Sequence, residues 1–213
     1  MLHWIYGYVI MTLSYSKGDS MKNGFFAMVS RMKYINRWAL MRNEHSENLC
    51  EHSFEVASIA HALAVIGNKR FGKSLNGERA AFLGLYHDTP ETLTGDMPTP
   101  VKYYSDEVRL AYKTVEENAC KRLVEMLPEE FREDYSAAFL PEEADAELWK
   151  LVKAADKISA LIKCIEEKKA GNSEFVKAGE GLKAAVENLD VPEAKVFIEE
   201  FLPAYELTLD ELR

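Results

Sequence analysis

From Gly24 onward the apolar positions recur at helical spacing. Phe25, Phe26, Val29, Met32 and Ile35 predict a first helix reaching Arg37-Trp38, followed by a loop over 39–47. Asn48, with Glu51 three residues on, is the pattern of a capping box. The helix it opens is expected to run to about Gly67 with Val56, Ile59 and Leu63 as its apolar stripe. After a connection over 71–76, a helix from Gly77 to His87 is stopped at Pro90, because the residue before a proline is pushed out of the α region. Pro98 and Pro100 predict an extended stretch from Gly95 to Lys102. Further helices are expected from the cap Ser105 to Met126, from Glu129 to Tyr135, from Pro141 to about Ala170, from Ser173 to Asn188 and from Pro192 to Pro203. No alternating run is long enough for a sheet, and no internal repeat is evident. The pattern reads as an all-α, single-domain helical bundle.

Residues 1–20 stand apart. Their apolar patch, Leu2 to Leu13, is too short to span a bilayer and lacks the positively charged start of a signal peptide. They read as an N-terminal extension of unknown role, ahead of a natural start at Met11 or Met21, with the domain covering 21–213. The net charge of -9, with acids spread along the 213 residues, argues against nucleic-acid binding through a broad basic surface. An anionic ligand would therefore need local positive charge. Cys50, Cys120 and Cys164 lie far apart without paired spacing, which suits a reduced, cytoplasmic setting.

The densest chemistry lies between Tyr86 and Asp96. His87 and Asp88 sit at an abrupt helix end, with Glu91 and Asp96 on the loop beyond, where they could handle protons. Imidazole and carboxylate are mixed ligands that divalent transition ions accept. His52 stands four, seven and eleven residues before Val56, Ile59 and Leu63, so it points into the bundle, whereas His61 faces water. Asp156 borders the buried face formed by Leu148, Leu151, Ala155, Ile158, Ile162 and Ile165, and a carboxylate there is costly unless paired or bound to a cation. Taken singly, each has a plainer explanation: a capped helix end, core histidines with ordinary partners, or Lys157 pairing with Asp156. Jointly, His52, His87, Asp88 and Asp156 predict one divalent ion held between helices. Such ligands leave positions for water on an octahedral ion, which suits cobalt, manganese, iron or magnesium better than a closed structural zinc.

His52, His87-Asp88 and Asp156 resemble the H...HD...D signature of the HD-domain metal-dependent phosphohydrolases. Ile35-Asn36-Arg37-Trp38, Glu51-His52-Ser53, Tyr86-His87-Asp88, Leu93-Thr94-Gly95-Asp96 and Pro98-Thr99-Pro100-Val101-Lys102-Tyr103 resemble, more closely, the bacterial 5′-deoxynucleotidases of that superfamily. The similarity runs from about Met21 to the C-terminus; the extra N-terminal residues and Thr89-Pro90 inside the motif depart from it. It implies a bundle of the HD-domain type, a homodimer and one divalent ion; the short apolar patch at Leu2 to Leu13 separately argues against a membrane partner. The resemblance also implies hydrolysis of deoxyribonucleoside 5′-monophosphates to deoxynucleoside and phosphate by a metal-activated water. In that frame Arg37 supplies a fork matching phosphate, and Trp38 helps it hold phosphate and sugar together. Glu91 is the candidate for proton transfer and Asp96 for orienting water or substrate, two roles that could be exchanged. Other readings are an HD-type hydrolase of a triphosphate, cyclic dinucleotide or alarmone, or a non-catalytic regulatory module with a relict metal site. Glu91 and Asp96 beside all four ligands argue against the last.

Overall fold

Asn48 opens the central helix as its sequence predicts. Its side chain accepts the amides of Cys50 and Glu51 at 2.9 and 3.2 Å, while Glu51 reaches back to the Asn48 amide at 3.0 Å. Donors that a helix start leaves unpaired are thus satisfied reciprocally. The structure, a computed structural model, describes residues 23–102, 104–140 and 142–213. The extension read from residues 1–20 lies outside the described residues.

In chain order the helices are α1 (Phe25–Val29), α2 (Leu49–Arg70), α3 (Gly77–Tyr86), α4 (Glu91–Thr94), α5 (Thr99–Lys102), α6 (Asp106–Glu125), α7 (Arg132–Ser136), α8 (Ala146–Lys169), α9 (Val176–Glu187) and α10 (Pro192–Glu200). Among the described residues the only β-type pairing is an isolated bridge between Asn36 and Asn48. Val56, Ile59 and Leu63 of α2 meet Leu83 of α3 and Leu151, Ile158 and Ile162 of α8, and Val186 of α9 and Phe197 of α10 close the same core. Each such side chain contributes about 1.5 to 3 kcal/mol when fully buried. By length and composition α2 could cross a membrane, but half of its most apolar window is buried within this bundle. A second cluster gathers Phe25, Leu123 and Phe139, with Tyr86 and Tyr135 packed against it. Tyr86 meets the rings of Phe25, Tyr135 and Phe139 at 6.1, 5.7 and 6.3 Å, so the end of α3 is pinned between the two cores.

Two stretches depart from the sequence pattern. The first helix does not reach Trp38: α1 passes into a 3₁₀ turn, Ser30–Tyr34, and Ile35 is extended. Backbone pairing outcompetes helix continuation here, because the Ile35 carbonyl accepts the Leu49 amide at 3.0 Å and the Arg37 amide donates to the Glu47 carbonyl at 2.9 Å. The stretch from Gly95 to Lys102 is not extended throughout, since the Pro98 carbonyl accepts the amides of Val101 and Lys102 at 2.8 and 3.1 Å and nucleates α5. Pro100 falls in its first turn, where a missing N–H costs nothing.

The approach of α3 to α2 depends on Gly84. A Cβ there would lie 2.9 Å from the Ala57 Cα, which is backbone and cannot swing aside. Gly84→Ala is therefore expected to destabilise the protein by about 1 to 3 kcal/mol, the usual range for overpacking. A lowered urea midpoint at unchanged m-value would register it; an unchanged midpoint would mean that the two helices separate freely.

Candidate metal centre and active site

The turn after α3 is built from its own hydrogen bonds. His87 stays in the α region as the C-cap, the Thr89 amide donates to Tyr86 and the Glu91 amide to Asp88, each at 3.0 Å, and Pro90 caps α4. Pro90 ends α3 as expected, yet Glu91 is the first residue of another helix rather than part of a loop. His87 Nδ1 lies 2.7 Å from the Gly84 carbonyl, one of the acceptors a helix end leaves free. A carbonyl only accepts, so Nδ1 carries the proton and Nε2 faces the centre.

His52 is 1% exposed, as its place on the stripe predicts, and His61 is exposed. His52 Nε2 lies 3.1 Å from Asp156 Oδ1 and 3.4 Å from Asp88 Oδ2, while His87 Nε2 lies 3.1 Å from Asp88 Oδ2. Neither Nε2 has an aligned hydrogen-bond partner despite burial. Close approach without alignment leaves both nitrogens unspent on hydrogen bonds beside the Asp88 carboxylate. His52, His87 and Asp88 each place a ligand atom within 4.8 Å of the other two. Asp156, from α8, touches His52 but stands outside that compact trio, with its side chain 43% exposed against 20% for Asp88.

Arg37 lies against this cluster, its Nη1 at 3.5 Å from Asp88 and 3.9 Å from Asp156. Its buried Nε has no aligned hydrogen bond. Trp38 adopts φ +59°, rare for a bulky residue. Its indole packs edge-on against Phe175 at 5.3 Å and donates to Glu47 at 3.1 Å. The Trp38 backbone and the Arg37 charge both act on Asp96, which places the sequence-predicted loop acid at the same end of the bundle.

Three groups were not evident from the sequence. Glu47 contacts Trp38, Arg37 Nε at 3.7 Å and His52 Nδ1 at 3.3 Å. Ser159 and Glu55 lie behind His52, on α8 and α2. The loop carrying Glu47 is clamped from α8, where Glu167 accepts the amides of Glu44 and His45 at 2.9 and 3.1 Å and Lys163 donates to the His45 carbonyl. The adjacency of Glu47 to the Asn48 cap was the only local signal, and it does not disclose that the carboxylate turns inward.

The electrostatics separate the acids. Against the cost of burial, the His87 and His52 imidazoles beside it hold Asp88 well below the usual carboxylate range. Burial first, then the charges of Asp88 and Asp96, push Glu91 up to about 9 despite Arg37 and Lys102. Burial also raises Asp96. Burial and Arg37 both push His52 down, but the Asp156, Asp88 and Glu47 carboxylates around the ring outweigh them and carry it to about 10 in the metal-free protein.

A helical bundle with an inward His-Asp pair at a helix end defines the class of HD-domain phosphohydrolases. The chain superposes on an HD-domain phosphohydrolase from Listeria innocua with a TM-score of 0.72 and 27% identity, over 85% of this chain and 87% of that one. A cyanophage S-2L HD phosphohydrolase, solved with dA and one catalytic Zn2+ ion, shares the fold at a TM-score of 0.59 and 20% identity, covering 85% of this chain and 96% of its own. Residues 24–205 match the family described as 5′-deoxynucleotidase YfbR-like. A 5′-deoxynucleotidase of Vibrio atlanticus (strain LGP32) is 50% identical over 188 residues, which cover 88% of this chain and 97% of that protein. This chain belongs to the YfbR-like 5′-deoxynucleotidase family.

Proposed function

We propose that His52, His87, Asp88 and Asp156 hold one divalent ion, and that beside it the chain hydrolyses deoxyribonucleoside 5′-monophosphates to deoxynucleoside and phosphate. The observation that carries this reading is the pair of buried imidazole Nε2 atoms that meet at Asp88 without an aligned partner. A mixed nitrogen and oxygen donor set fits cobalt or manganese. When bound, the ion supplies Lewis acidity toward a phosphoryl oxygen and lowers the pKa of water.

The chain's own residues do the remaining work. Phosphate monoester hydrolysis is among the slowest uncatalysed reactions, so charge must be neutralised and the leaving oxygen protonated. Arg37 stays cationic among Asp88, Asp156 and Glu47, and it grips the phosphate. Glu91, whose carboxyl burial holds above the usual carboxylate range, gives its proton to the departing 5′-oxygen. Asp96, beside the Trp38 backbone and Arg37, orients water or substrate. We further read the chain as a homodimer in the reducing cytoplasm, in keeping with three free cysteines.

Trp38 would select the sugar. Its indole N–H already serves Glu47, so toward a substrate it offers only apolar surface. A 2′-hydroxyl there would be desolvated without a partner, which costs about 1 to 3 kcal/mol and favours deoxy substrates by roughly tenfold to a hundredfold. The test is phosphate release by metal-loaded protein from deoxy- and ribonucleoside 5′-monophosphates, triphosphates and cyclic dinucleotides. Deoxymonophosphates are expected to be the best substrates. Trp38→Ala should narrow the kcat/KM ratio of dAMP over AMP, whereas Arg37→Ala should lower both values alike because the phosphate is common to both. A folded Trp38→Ala enzyme with the wild-type ratio would place sugar selection elsewhere.

A further inference from the structure

Behind His52, on the side away from Asp88, the two helices that carry proposed ligands form a second pair of contacts. On α2, Glu55 follows His52 by one turn; on α8, Ser159 follows Asp156 by one turn. Residues three apart share a helix face, so each helix presents a ligand and, beside it, a polar group. Ser159 is fully buried, which makes its hydrogen bonding a matter of necessity. Its Oγ lies 3.0 Å from His52 Nδ1 and donates to Glu55 Oε2 at 2.6 Å. A hydroxyl has one proton to give. With that proton directed at Glu55, the Ser159 oxygen accepts from His52 Nδ1–H. Glu55 also lines a groove of about 640 Å³, together with Glu47, Ser58, Glu166 and Tyr205 among others.

We infer that Ser159 and Glu55 are positioning residues for the ion site: Ser159 accepts the His52 Nδ1 proton, Glu55 fixes the direction of the Ser159 hydroxyl, and together they present the His52 Nε2 lone pair to the ion. This rests on the ligand role proposed above for His52. Groups that hydrogen-bond the outer nitrogen of a histidine ligand fix its tautomer and ring orientation, and their loss costs about tenfold to a hundredfold in metal affinity. Glu47 Oε1 is the competing acceptor at 3.3 Å, but its carboxylate is shared with Arg37 and Trp38.

The experiment measures Zn2+ dissociation constants by chelator competition for the full-length wild type, Ser159→Ala, Glu55→Ala, Glu55→Gln, Glu47→Gln and His52→Ala. Long-range 1H–15N spectra of the Zn2+-loaded protein report the His52 tautomer. Ser159→Ala and Glu55→Ala are expected to bind Zn2+ about tenfold to a hundredfold more weakly. Glu55→Gln, which keeps an acceptor oxygen, should recover most of that loss. The wild-type spectrum should show a protonated Nδ1. Zn2+ affinity within about twofold of wild type in both alanine variants overturns the inference, as does a large loss confined to Glu47→Gln. Should Ser159→Ala fail to fold, the half-exposed Glu55 variants decide the matter. If His52→Ala binds Zn2+ as tightly as wild type, the ligand assignment itself fails, a result distinct from failure of the relay.

Discussion

Glu91→Gln is expected to retain metal and bind substrate while losing turnover, by about a hundredfold to ten-thousandfold in kcat, the range for removal of a general acid or base. The side chain is nearly isosteric and α4 is unchanged, so a loss of folding would not account for the effect. An alkoxide is a poor leaving group, and a neutral carboxyl beside it removes the need to expel one. Burial, with the charges of Asp88 and Asp96 nearby, carries Glu91 to about 9 before an ion binds, and a cation at Asp88 offsets part of that push, so the limb of the loaded enzyme should lie below that value. The sign of the pH dependence follows. The acid must be protonated to act, so kcat should hold through neutral pH and fall as pH rises through the Glu91 pKa. Glu91→Gln should lose this limb along with its rate. The buried Glu91 Oε2 has no hydrogen-bond partner, which leaves the carboxyl available to substrate. Steady-state kinetics across pH with elemental analysis of each preparation provide the check. An unchanged kcat would remove Glu91 from proton transfer and pass the role to Asp96, the other acid raised by burial.

What could be read from the sequence follows from the range of the forces involved. The Asn48-Glu51 box is satisfied within one turn, so its pattern determined the start of α2 and, from that start, the inward direction of His52. The fold class was legible for the same reason, since amphipathic periodicity is local and its consequence is burial. The path from Tyr34 to Trp38 was not, because it depends on Ile35 and Arg37 pairing with Leu49 and Glu47. The roles of Glu47, Ser159 and Glu55 are not legible along the chain because they arise where α2, α8 and the loop meet. No spacing along the chain encodes that Ser159 sits 3.0 Å from His52. The Pro98 region failed differently: two prolines suggested extension, but proline in a first turn is compatible with helix.

Alanine at His52, His87, Asp88 or Asp156 should cost more metal affinity than the about tenfold to hundredfold lost with a supporting group, and activity should fall with the ion. Asp156 is the most informative of the four, because it lies outside the compact trio and its side chain is more exposed than those of Asp88 and Glu47. If Asp156→Ala keeps full metal stoichiometry by elemental analysis, the ion is held by the trio and Asp156 only pairs with His52. Proton release gives an independent check. In the metal-free protein His52 has a pKa of about 10, so near neutral pH the imidazole is cationic, with Nε2 facing Asp156 and Asp88. A ligand nitrogen must give up its proton to bind an ion, so binding and proton release are linked. Below the His52 pKa, displacement of one proton per ion makes the apparent affinity rise by about tenfold per pH unit. Titration calorimetry with Mn2+ in buffers of different ionisation enthalpy should therefore show about one proton released per ion at neutral pH. A pH-independent affinity with no proton release would mean that His52 is neutral before the ion arrives or does not touch it. Retained proton release in His52→Ala would assign the proton to another group of the cluster.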